Sequence, residues 1–69
     1  MPWKTIVHPK TPDVLKACQY IRDERKDPTF LFEELEDRII ITSPTRDVAY
    51  KRGSYFHQKY GSHYEVTRS

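Results

Sequence analysis

The chain is predicted to fold as a small α+β domain of order β-α-β-β-α-β. This is the ferredoxin-like sandwich, a four-stranded antiparallel sheet carrying both helices on one face. Three observations predict it. Short β-branched runs recur at WKTIVH, RIIIT and HYEVTR. Two hydroxyl-then-proline steps, Thr11-Pro12 and Ser43-Pro44, each precede an apolar stripe at helical spacing. Gly61 stands where the second stripe ends, as a helix stop requires.

Trp3 to His8 alternates, with Trp3, Thr5 and Val7 on one face and Lys4, Ile6 and His8 on the other, and reads as a strand ended by Pro9. Thr11 is a candidate cap, Pro12 suits a first helical position and Asp13 meets the positive end of the helix dipole. Val14, Ala17/Cys18 and Ile21 then follow at i, i+3/4 and i+7, with Leu15 widening the stripe. The helix is expected over residues 12–26, stopped by Pro28.

Residues 29–34 (TFLFEE) and 38–42 (RIIIT) read as strands of a hairpin turning at Leu35-Glu36-Asp37. A competing reading makes FLFEELED a short helix capped by Thr29, because Glu and Leu favour helix. Beyond Ser43-Pro44, Ala49, Arg52/Gly53, Phe56 and Tyr60 mark a second helix. Gly53 in its middle costs about 1 kcal/mol against Ala. The rival is a hairpin of residues 48–51 and 54–57 about Arg52-Gly53, which would make the fold one helix packed on an antiparallel β-meander. His63 to Arg68 closes the chain as a strand with Tyr64 and Val66 on one face. Depending on register, Trp3, Phe30 or Phe32, and Tyr64 line the open sheet face or fill the core.

Sixty-nine residues make one compact domain, 1–69, of limited burial. The chain is expected to be a complete short reading frame, without repeats or linkers. One cysteine, Cys18, excludes an intramolecular disulfide framework and favours an intracellular setting, cytoplasmic or nuclear. No apolar run approaches a membrane span, the longest being Ile39-Ile40-Ile41, and the N-terminus lacks the apolar core of a signal peptide.

The charge is unevenly spread. Residues 1–44 carry seven Lys+Arg and eight Asp+Glu, whereas residues 45–69 carry five and two. The same C-terminal third holds five of the nine aromatic rings. Rings stack on bases and cations neutralise phosphates, so their interleaving suits nucleic acid. On a helix Lys51, Tyr55 and Lys59 share a face at i, i+4 and i+8. A plain amphipathic helix with solvated lysines would carry the same pattern.

Other chemistries find less support. His8, His57 and His63 lack the further ligands of a zinc site, so no metal or cofactor is expected. Cys18 sits on an apolar stripe, as a small buried hydrophobe does. The acidic residues 33–37 (EELED) fall at a turn, where carboxylates are solvated, though they could mimic an acidic surface for a basic groove. RIIIT lacks the Gly and rings of an RNA-recognition strand, and two glycines make no phosphate loop. An enzyme is not expected. The chain is expected to be a small nucleic-acid-binding accessory or regulatory protein, DNA or RNA, using Arg46, Lys51, Arg52, Tyr55, Lys59 and Arg68. The alternative is a protein-binding regulator or inhibitor of a larger partner, with a nucleic-acid-processing protein as one such partner. No membrane partner is expected, and a homodimer would cover an exposed sheet face or edge.

Overall fold

The computed structural model describes residues 2–24 and 30–68. The elements run β1 (Trp3–His8), α1 (Asp13–Asp23), β2 (Leu31–Glu34), β3 (Ile39–Ser43), α2 (Arg46–Tyr60) and β4 (His63–Arg68). The expected ends of the first helix, Arg25 and Lys26, its stop at Pro28, and Thr29 lie outside the described residues.

The four strands form one sheet in the order β2-β3-β1-β4, with every neighbouring pair antiparallel. The central strands are the two richest in β-branched residues, as burial on a pleated surface favours. Residues 31–34 are strand, not helix, and the turn to β3 is closed by the Leu35 N–H on the Arg38 carbonyl at 2.8 Å.

The register settles which side chains share a face. Thr5 lies opposite Ile41 and Val66, Ile41 opposite Phe32, and Val7 opposite Ile39 and Tyr64. These residues face the helices. Val7, Ile39 and Ile41 pack with Val14 and Cys18 of α1, Phe30, and Phe56 of α2 in a single buried cluster. Phe30 is thus core, Phe32 and Tyr64 pack against it, and Trp3 shares their side of the sheet. The other face presents Lys4, Ile6 and His8 beside Ile40 and Thr42, and the described strands put no Phe, Tyr or Trp ring there.

α2 is a continuous helix, so the β-meander alternative does not form. Its cap corrects the expectation at Ser43-Pro44. Ser43 is the last residue of β3, paired with Trp3, and is buried. Thr45 caps instead: it is extended, and its Oγ1 accepts the Val48 N–H at 3.3 Å. Pro44 carries the chain from sheet to helix. At α1, Pro12 is already helical in φ and ψ and no side-chain cap is made, so the role expected of Thr11 falls to its carbonyl, which accepts the Val14 N–H at 3.4 Å.

One polar and one steric contact lock α2 to the sheet. Buried Thr5 donates from Oγ1 to the Ala49 carbonyl at 2.8 Å. Gly53 lies under the ring of Tyr64: a Cβ there would come within 2.6 Å of Cε2 and 2.8 Å of Cγ, and closer still to Cδ2. The glycine that weakens the helical pattern is therefore the residue that lets β4 approach the helix. Gly61 ends α2 in the left-handed region at φ 70°, its N–H on the His57 carbonyl at 2.9 Å.

Candidate nucleic-acid interface

With Ala49, Gly53 and Phe56 facing the core, the helical period sends the other residues of α2 to two flanks and an outer face. The six residues expected to bind therefore divide among three places.

Lys51, Tyr55 and Lys59 do share one flank, the one toward α1. Lys59 donates to the Tyr55 hydroxyl at 3.2 Å and lies over the Tyr55 and Tyr60 rings at 5.5 and 5.8 Å. The hydrogen bond to Tyr55, followed by the charge such a hydroxyl can carry, raises the Lys59 ammonium above its usual range, so it stays protonated. Tyr55 is exposed but buttressed edge-on by Phe56 and Tyr60, with centroids at 5.1 and 6.5 Å. An open groove of about 300 Å³ runs beside it, with an apolar floor of Ile21, Phe30, Val48 and Phe56 and with Lys51 and Arg52 at its edge.

Arg52 is half-buried and tied to β3. Its Nη1 donates to the Ser43 Oγ at 2.9 Å and the Thr42 carbonyl at 3.4 Å, and its guanidinium lies 5.1 Å from the Phe30 ring centre. It is a strap between helix and sheet, partly withdrawn from solvent.

Arg46 and Arg68 stand on the opposite flank, together with a residue that sequence reasoning did not single out for binding. Trp3 pairs across the sheet with Arg68, whose guanidinium is 5.9 Å from the indole centre. Arg46, at the start of α2, lies 6.0 Å from the same indole and 5.4 Å from the ring of Tyr50. Among the described residues, no carboxylate comes within ion-pair distance of Arg46, Lys51, Lys59 or Arg68. The pairs that do form, Arg22–Asp23 and Arg38–Asp37, belong to the first 44 residues. The alternation in WKTIVH that sets Trp3 beside Val7 was the available signal; what it lacked was the identity of the strand opposite.

The remaining candidates are spread out. His57 Nδ1 is 3.2 Å from the Ser62 carbonyl, His8 and His63 are cross-strand partners, and the His57 and His63 rings are 6.4 Å apart. Among the described residues no three His, Cys, Asp or Glu side chains converge as a metal site would need. Cys18 is fully buried, and burial pushes its thiol up to about 12, far from nucleophilic ionisation. Among the described residues no helix is long and apolar enough to cross a membrane. Compared with known proteins, the chain matches no family model, no curated protein and no solved structure.

Proposed function

We propose that this chain is a small, non-enzymatic nucleic-acid-binding protein of accessory or regulatory type, acting inside the cell through Arg46, Lys51, Tyr55, Lys59 and Arg68, with Arg52 at the margin. One observation carries the reading. Four surface cations of α2 and β4 lack a carboxylate partner among the described residues, and Arg46, Lys59 and Arg68 each lie within about 6 Å of an aromatic ring centre. Unneutralised cations beside rings match phosphates that carry bases.

The finer fold assignment, the ferredoxin-like sandwich, is supported by the strand order. Read from the β4 edge it is β4-β1-β3-β2. Thus β1-α1-β2 spans β3, and β3-α2-β4 spans β1, as two interleaved split βαβ units do. Its open face has no Phe, Tyr or Trp ring among the described strands, so binding is assigned to the helical side and not to base stacking on the sheet.

Mobility shift on single- and double-stranded DNA and RNA tests the function. The natural chain should retard at least one of them, and the variant with Arg46, Lys51, Lys59 and Arg68 all changed to Ala should not. Equal retardation by both would sink the reading. A second reading, a protein-binding regulator, is favoured by the apolar groove beside Tyr55. It requires a stoichiometric protein complex that survives nuclease treatment and is lost on Tyr55→Ala.

A further inference from the structure

Trp3, Arg46, Tyr50 and Arg68 meet at one end of the molecule from β1, α2 and β4. We infer that this corner is the primary contact for an unpaired nucleotide of a single strand: the base stacks on Trp3 and Tyr50, and the phosphate is held by Arg46 and Arg68. The inference rests on the nucleic-acid reading above and narrows it. It moves the main contact off the Lys51–Tyr55–Lys59 flank to the other side of α2.

Folding alone gives little reason to gather these charges. Arg46 opens a helix, where the dipole is positive and a cation is disfavoured. A second guanidinium, Arg68, approaches the same indole. Asp47 is the neighbouring residue in sequence, but i and i+1 on a helix do not face each other. A local rule broken with ring contacts but no carboxylate partner among the described residues is where an anionic ligand is expected. The rings are suited to receive it. Trp3 is half-buried and held by its strand, so little freedom is lost on stacking, and Tyr50 is 43% exposed. Two guanidinium forks match phosphate oxygens better than the point charges of lysines. The other flank is more self-satisfied, because Lys59 already holds the Tyr55 hydroxyl and Tyr55 leans on Phe56 and Tyr60. The strand must be single, because base faces in a duplex are closed off by stacking.

Trp3 is the chain's one tryptophan, so its emission reports on this corner alone. The full chain is titrated at low salt with oligothymidylate and oligouridylate of about ten nucleotides, a length within the usual single-strand site size. Label anisotropy and Trp3 emission are followed together. Emission should change in step with anisotropy. Arg46→Ala with Arg68→Ala should weaken binding by about tenfold or more, and Lys51→Ala with Lys59→Ala by about threefold at most. All four positions are exposed, so neither pair disturbs the core. A response to only one of the two strands supports the inference and shows a preference between the DNA and RNA probes. Rising anisotropy with unchanged Trp3 emission, or a larger loss from the lysine pair, overturns the inference and leaves the nucleic-acid reading standing. No anisotropy change with either strand overturns the inference, and it overturns the nucleic-acid reading as well if double-stranded DNA and RNA also go unretarded.

Discussion

Gly53 shows how one residue can carry information that pattern alone misreads. In an exposed helix, Gly→Ala gains about 1 kcal/mol. Here the added methyl meets the Tyr64 ring near its attachment, where the side chain cannot swing away. Gly53→Ala is therefore expected to destabilise by about 1–3 kcal/mol in denaturant melts, as overpacking does. Combining it with Tyr64→Ala should cost less than the two changes added separately, because they share one contact. Gly61 needs its glycine for a different reason: space is open around it, but φ is 70°, so Gly61→Ala should cost about 1–2 kcal/mol through strain. Cys18 makes a pH prediction. Its thiol ionises near 9 when unfolded and at about 12 when folded, so the unfolded state loses its proton first. This contribution is whole below pH 9 and disappears as pH rises from 9 to 12. Melting midpoints of the natural chain and of Cys18→Ala should therefore converge or cross as pH climbs through that window. An unchanged difference would contradict the burial of the thiol. Trp3 marks the limit of what alternation carries, since its sharing a face with Thr5 and Val7 was legible but which side of the sheet that is, and its neighbours Arg46 and Arg68, were not.

At the scale of elements, strong local signals were legible and partner choices were not. The stripe Val14, Cys18 and Ile21 and the alternation of WKTIVH are set by periods of 3.6 and 2, which a chain displays without knowing its fold. The second helix was legible through Ala49, Phe56 and Gly61, against Gly53. Its start was shifted because Ser43, Pro44 and Thr45 offer two hydroxyls within three residues. Sheet pairing with Trp3 takes Ser43, which leaves Thr45 to cap. Thr45→Ala should accordingly cost about 1 kcal/mol. Ser43→Ala should act differently, through the Arg52 strap whose Nη1 it receives at 2.9 Å. A larger loss of helix stability from Ser43→Ala with none from Thr45→Ala would contradict this assignment. The pairing of β1 with both β3 and β4 depends on long-range contacts, and nothing local in HYEVTR selects β1 as its partner.

For the whole molecule, the fold converts an uneven charge sequence into a divided surface. The Arg22–Asp23 and Arg38–Asp37 pairs neutralise charge within the first 44 residues, whereas the surface cations of α2 and β4 are left without carboxylates among the described residues. The candidate site was legible as a composition, five cations and five rings, but its arrangement was not. Folding sends Phe56 to the core, ties Arg52 to β3, and separates Lys51, Tyr55 and Lys59 from Arg46 and Arg68 by the width of a helix. Such a surface should bind a polyanion by releasing its counterions. The most direct measurement is the affinity for a single-stranded oligonucleotide as a function of salt. If two to four of Arg46, Lys51, Lys59 and Arg68 meet phosphates, log K should fall linearly with log salt with a slope of about −1.4 to −2.8. A slope near zero, or one unchanged when these four are replaced by Ala, would contradict the account.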